Sequence, residues 1–167
     1  MSLATASTAG EPSARIVLLK DVDDRGFAFF THYDSRKGHD LRENPRAALL
    51  FFWPELERQI RISGTVTTLP PEESDAYFLS RPIESQYAAW AATQSTVLRD
   101  REALEAAYAG VKRRFEAEPI ARPPSWGGFI VHPEQLEFWQ GRPSRLHDRL
   151  LYTKQHDGSW SRVRLAP

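Results

Sequence analysis

The chain has 167 residues, enough for one domain with a real core, and its 22 basic and 22 acidic residues cancel. With no net charge there is no global field to attract nucleic acid or a membrane surface, so any anion site must be built locally. Cysteine is absent, which excludes disulfides and thiolate chemistry, and no apolar run is long enough to cross a bilayer. The opening segment, MSLATASTAGEPSAR, lacks the basic start and apolar core of a signal peptide, so a cytoplasmic protein is expected.

The first half reads as β. Ala14 to Lys20 is β-branched and aliphatic, Asp23-Asp24-Arg25-Gly26 is a turn signal, and Phe27 to His32 is a second apolar run. Asp34 or Ser35 is placed to cap a short helix that ends near Asn44-Pro45. Ala47 to Trp53 is unbroken in apolar character and predicts a buried strand. Arg58 to Leu69 alternates, with Gln59, Arg61, Ser63 and Thr65 on one face and Ile60, Ile62, Gly64 and Val66 on the other. The middle reads as helix. Pro70-Pro71-Glu72-Glu73 is a helix start, Ile83 to Thr93 is Ala-rich around Trp90, and Arg101 to Glu116 has Leu104, Tyr108, Val111 and Phe115 at helical spacing. After the loop Ala121 to Trp126, four short strands are predicted: Gly128 to Val131, Leu136 to Gln140, Arg149 to Thr153 and Trp160 to Leu165, the last two joined at Asp157-Gly158. Strands, helices, then strands again predict one α+β domain over residues 1–167, an antiparallel barrel with attached helices. Trp53, Trp90 and Trp126 are read as core.

The run EFWQGRPSRLHDR, Glu137 to Arg149, is the densest in chemistry. It brings an indole, Trp139, close to Arg145, His147 and Arg149, broken by Gly141 and Pro143. A core strand has no use for three cationic or titratable groups spaced two apart. A site for a planar, anionic, aromatic ligand does. Arg15 with Arg36, Lys37 and the hydroxyl of Thr31 forms one candidate phosphate site, since arginine binds phosphate through paired hydrogen bonds. Taken alone, Ser35-Arg36-Lys37 reads as a solvated helix start. Lys20 with Tyr77, Arg81 and Ser85 forms a second candidate. Pro82 disfavours helix at Arg81, so Tyr77 is expected to end one helix, Arg81 to sit in a corner, and Ser85 to lie in the first turn of the next helix, where free N–H groups suit a phosphate. Taken alone, that corner reads as a helix junction with an exposed arginine. Arg15 and Lys20 differ in strand parity and are expected to serve separate phosphates unless a strand end intervenes. The five histidines show no metal-ligand spacing, and no metal site is expected. Lys112-Arg113-Arg114 reads as the wet face of a helix.

These segments, with RIVLLK (Arg15 to Lys20), FFTHYDSRKG (Phe29 to Gly38), NPRAALLFFW (Asn44 to Trp53), Glu57 to Gln59, YFLSRPIESQ (Tyr77 to Gln86) and RLAP (Arg164 to Pro167), resemble the pyridoxine/pyridoxamine 5'-phosphate oxidases in order and approximate spacing. The resemblance covers essentially the whole chain. It implies a Greek-key split β-barrel with peripheral helices, FMN as cofactor, and oxidation of pyridoxamine or pyridoxine 5'-phosphate to pyridoxal 5'-phosphate, with oxygen consumed and hydrogen peroxide released. It implies FMN contacts at Arg15, Lys20, Phe30, Thr31, Arg36, Lys37, Gln59, Gln94, Ser95, Trp139 and Arg149. It implies substrate contacts at Lys20, Tyr77, Arg81 and Ser85, with Arg145 and His147 at the reacting end as the catalytic pair. Gln94, Ser95, Trp139 and Arg149 are expected to come from the partner subunit of a homodimer. Phe30 stands where the family commonly has tyrosine, His32 where it has asparagine, and Ala88 and Ala92 where glycine and serine are usual. An upstream segment that helps close over the substrate in the family is expected to be missing. The alternatives are a related flavin oxidase of the phenazine-biosynthesis type and a non-catalytic FMN- or pyridoxal-phosphate-binding protein.

Overall fold

A computed structural model describes residues 1–167. The strands are β1 (Ser2–Ala6), β2 (Pro12–Ile16), β3 (Asp21–Asp23), β4 (Gly26–His32), β5 (Arg46–Trp53), β6 (Arg58–Thr68), β7 (Trp126–Gln140), β8 (Asp148–Lys154) and β9 (Trp160–Arg164). The helices are α1 (Arg36–Glu43), α2 (Pro71–Ser80), α3 (Ile83–Ala91) and α4 (Arg101–Ala117). All the strands pair antiparallel in one sheet ordered β2-β1-β5-β6-β7-β4-β3, with β8 and then β9 branching from β7. This is the α+β split barrel with peripheral helices that the sequence predicts.

The split originates in the length of β7. One of its edges pairs with β6. The other pairs with β4 over Trp126–Val131 and with β8 over Gln135–Gln140. Between the two stretches lie Pro133, which has no N–H to donate, and Glu134, the extra residue of a bulge opposite Ser63/Gly64. Gly64 is required here, because a Cβ would lie 1.9 Å from the carbonyl oxygen of His132. The two separate strands expected at Gly128–Val131 and Leu136–Gln140 are therefore one bent strand, the bulge accommodating the proline.

The inner face of the barrel buries Leu3, Phe29, Leu49, Ile62, Phe129 and Val131, with Leu41 added from α1. Each side chain of this size contributes about 1.5–3 kcal/mol on burial. The other face of β4 and β7 carries Ala28, Phe30, Ile130 and Trp126, which pack toward Leu69, Phe78 and Ala89. This second, smaller core fixes α2 and α3 against the sheet.

The segment 2–6, for which no element is predicted, is a strand, and Met1 to Ile16 folds as a hairpin with Gly10 in its turn. Three expectations need correction. The strand expected over Ala14–Lys20 ends at Ile16, the last residue paired with β1, and the next N–H, that of Val17, reaches the carbonyl of Met1. Ala47–Trp53 is not buried throughout. Only its inward positions, Ala47 and Leu49, are buried, and Phe52 is 58% exposed. Trp53, read as core, is 40% exposed, whereas Trp126 is buried and Trp90 half-buried, its indole N–H held by the carbonyl of Ala121. The outer sheet face is apolar and small: Ala14, Ala4 and Ala48 lie in one cross-strand row, and Ile16, Ser2 and Leu50 in the next.

Candidate active site

A cavity of about 820 Å³ opens where the end of β2, β4, the start of α1 and the α2–α3 corner meet. Arg15, Lys20, Arg36, Lys37 and Arg81 line it, and no aspartate or glutamate does. In a chain whose charges cancel overall, this is a strong local concentration of positive charge.

One end of the cavity is built around Lys37. Ser35 caps α1, accepting from Gly38 N–H at 3.3 Å, and its hydroxyl donates to the carbonyl of His32 at 2.7 Å. The first turn of the helix thereby carries Lys37 inward. Its ammonium donates to Thr31 Oγ1 at 3.0 Å, Ser35 Oγ at 3.1 Å and Gln94 Oε1 at 2.7 Å, all neutral oxygens. The residue is only 7% exposed. Burial, and then the charge of Arg15, lower its pKa to about 8. A buried ammonium without a counter-ion carries an uncompensated desolvation cost that an incoming anion offsets. Arg15 stands beside it, donating to Thr5 Oγ1 at 2.7 Å and Ser13 Oγ at 2.6 Å, with Asp40 at 3.8 Å.

The other end is built around Arg81. Its guanidinium carbon lies 4.7 Å from the centroid of the Trp126 ring and 5.6 Å from that of Phe78, and its Nη1 is buried with no acceptor. Lys20 Nζ lies 5.5 Å from the ring of Tyr77, which stacks on Phe30 at 4.0 Å; Phe30 stacks in turn on Trp126 at 5.5 Å. Arg81 is the corner residue between α2 and α3, as expected, but it is not an exposed junction arginine. Ser85 lies in the first turn of α3. His32 is paired in register with Trp126, and its Nδ1 has no partner. Burial first, then Lys37 and Arg81, hold its pKa below the ordinary histidine value.

The parity expectation does not apply, since β2 ends between Arg15 and Lys20 and both line the one cavity. Gln94 and Ser95, expected from a partner, line the chain's own cavity, the former through its bond to Lys37. The cavity thus gathers Arg15, Lys20, Phe30, Thr31, Arg36, Lys37, Tyr77, Arg81, Ser85, Gln94 and Ser95.

Gln59, Trp139, Arg145, His147 and Arg149 do not line it. Gln59, Trp139 and Arg149 are register partners across β6, β7 and β8, so they form one row on one face of the sheet. Arg149 donates to both oxygens of Glu137, at 2.8 and 3.2 Å, and Arg61 reaches the same carboxylate at 3.2 Å. Arg149 holds the Glu137 carboxyl below its usual pKa. The His147 ring lies 4.7 Å from that of Trp139, and its Nδ1 accepts from Arg142 N–H at 3.2 Å. Arg145 is exposed, on a short turn where Ser144 and Arg145 both take left-handed backbone angles, φ +58° and +60°. Three contributors escaped the sequence reading. Trp126 reads as core and is core, but it also floors the cavity. Gln86 and Glu137 sit inside quoted segments, yet nothing in their spacing separates them from ordinary surface residues.

The fold and the cavity define a split barrel with a cationic cavity of a kind that suits an anionic ligand. Family models agree. Residues 1–115 match the pyridoxamine 5'-phosphate oxidase model, and residues 126–167 match the pyridoxine 5'-phosphate oxidase C-terminal dimerisation region. The chain belongs to the pyridoxine/pyridoxamine 5'-phosphate oxidase family, a family of oxidoreductases whose cofactor is FMN. Relatives bearing that name from Paraburkholderia phymatum and Ralstonia pickettii are 58% and 59% identical over 167 residues, covering all of this chain and 78% of each relative. Among solved structures, PhzG from Burkholderia lata in complex with tetrahydrophenazine-1-carboxylic acid superposes with a TM-score of 0.93 at 37% identity, over 99% of this chain and 81% of that one. An FMN-binding protein from Nostoc punctiforme shares the fold, with a TM-score of 0.79 at 19% identity, over 99% of this chain and 87% of that one. No helix is long and apolar enough to cross a membrane.

Proposed function

We propose that the protein is an FMN-dependent oxidase that converts pyridoxamine or pyridoxine 5'-phosphate to pyridoxal 5'-phosphate. One observation carries this reading: the cavity holds two separate groups of cations, around Lys37 and around Arg81, with no carboxylate lining it. A flavin phosphate and a substrate phosphate each need such a cradle. The residues fit FMN on this chain's own terms, because Lys37 is buried among neutral oxygens and lacks an anion.

In this reading Arg15, Arg36, Lys37 and Thr31 hold the flavin phosphate. Lys20, Tyr77, Arg81 and Ser85 hold the substrate phosphate, the unpartnered Nη1 of Arg81 gaining its acceptor there. Bound FMN supplies the two-electron acceptor that oxygen regenerates with release of hydrogen peroxide. The chain's own part is orientation. The Phe30–Tyr77–Trp126 stack gives a rigid apolar wall that excludes water beside the two cradles. Gln59, Trp139, Arg145, His147 and Arg149 complete the site from the partner in a homodimer, joined across the exposed outer face of β1, β2 and β5. Arg145 and His147 then fix the reacting end of the substrate and stabilise developing negative charge.

The PhzG likeness at 37% identity favours a second reading, oxidation of a reduced phenazine carboxylate. Such a ligand has no phosphate ester for Lys20, Tyr77, Arg81 and Ser85. The test is peroxide release by the FMN-loaded protein with pyridoxamine 5'-phosphate, pyridoxine 5'-phosphate and a tetrahydrophenazine carboxylate in parallel. Peroxide with the phosphorylated vitamers is expected; peroxide with the phenazine alone would establish the second reading, and none with any substrate would leave a binding protein.

A further inference from the structure

We propose that Gln86 is a positioning residue for Arg81, clamping the corner between α2 and α3 so that the guanidinium keeps its aim into the cavity. The inference rests on the reading of Arg81 as the group that takes the substrate's phosphate. Gln86 is 5% exposed. Its side-chain Nε2 donates to the carbonyl of Arg81 at 2.8 Å and to that of Leu79 at 3.2 Å. Its backbone N–H donates to the carbonyl of Pro82 at 3.1 Å, closing the first turn of α3. One residue thus ties the last turn of one helix to the first turn of the next.

The geometry calls for a side-chain N–H donor, and the amide's Oε1 is buried without a partner. The last carbonyls of a helix lack intrahelical donors and must find others when buried. Both oxygens that Gln86 faces can only accept, so the nitrogen of its side chain must be the atom turned toward them. Glutamate has the same shape but no donor when ionised, and methionine has neither donor nor charge. Arg81 itself has one local backbone bond, its N–H to the carbonyl of Phe78 at 3.2 Å, and Pro82 after it has no N–H at all. Between helix end and proline, the peptide carbonyl of Arg81 is the handle by which its φ −75°, ψ 152° backbone is fixed. That backbone sets the guanidinium over Trp126.

The experiment uses the FMN-loaded protein and pyridoxamine 5'-phosphate. Gln86→Met should raise KM about 5- to 10-fold, the loss of a modest net hydrogen bond, while kcat and flavin affinity stay near the parent's. In an Arg81→Ala background Gln86→Met should add nothing further to KM, since there is no longer a guanidinium to aim. Gln86→Asn, which keeps the donor on a shorter arm, serves if the methionine variant does not fold, with a smaller KM rise and the same non-additivity. An unchanged KM in Gln86→Met overturns the proposal, as does an equal KM rise with and without Arg81, which would mark Gln86 as general scaffolding. If Arg81→Ala alone leaves KM unaltered, the fault lies instead in the assignment of Arg81 to the phosphate.

Discussion

The cavity and the β6–β8 strip partner their cations differently. In the cavity, Arg15 has Asp40 at 3.8 Å, but the buried Lys37 and the half-buried Arg81, whose Nη1 is buried, have no carboxylate contact. On the strip, Arg149 and Arg61 share Glu137, and Arg142 and Arg164 share Asp148. A cation held by a carboxylate is already satisfied and serves the scaffold, or waits to be turned toward something else. A buried cation without one is unfavourable in isolation and is kept for an anion that comes from outside. The difference also separates, in the proposed function, a subsite built within one chain from a strip on an open face that a second copy would meet.

The largest effect should come from keeping the two copies apart. Ala48→Arg places a charge in the middle of the small, apolar outer face, and turnover should vanish, with the protein monomeric by sedimentation. Inorganic phosphate should still bind the cavity of the monomer; a monomer with full turnover would place the whole site in one chain. Next in size, Lys37→Met and Arg81→Ala each remove a charge-assisted hydrogen bond worth about 1.5–3 kcal/mol. The first should weaken FMN binding, read by flavin fluorescence, and the second should raise KM with flavin retained. An exchange of these two phenotypes would invert the assignment of the cradles.

A smaller effect is expected from pH. With its folded pKa lowered to about 8, Lys37 loses its proton in the free protein well before it would in the unfolded chain. FMN affinity should therefore fall as pH rises through about 8, and Lys37→Met should lack that dependence. For stability of the ligand-free protein the sign is reversed. The cost of burying the charge is present in full below that pKa and is relieved as pH rises toward the unfolded value of 10.5, so Lys37's contribution to unfolding free energy should increase across that window. The smallest effect belongs to the strip. Ser144→Gly removes a left-handed non-glycine residue, which costs roughly 1–2 kcal/mol. The melting temperature should rise slightly, while kcat falls because the turn that carries Arg145 loosens; a rise in both would detach that turn from the chemistry.

By itself the sequence determined the class of fold and the local frame of the cavity, while the roles of Lys37 and Arg81 were legible only through the family resemblance. Alternation in Arg58–Leu69, the Ser35 and Asn44 helix limits, the proline at 82 that makes Arg81 a corner, and the Asp157-Gly158 turn are local rules, and local rules act over a few residues wherever the chain goes. Tertiary structure decided what no local rule reaches. It joined two expected strands across Pro133 by a bulge, because only pairing with β6 makes the extra residue tolerable. It left Trp53 and Phe52 uncovered, because burial depends on what packs from the other side. It put Gln94 on Lys37, 57 residues away, and set Gln59, Trp139 and Arg149 in a row apart from the cavity. Hydrophobic pattern tells a residue which way to face; only the assembled sheet tells it what it will meet there.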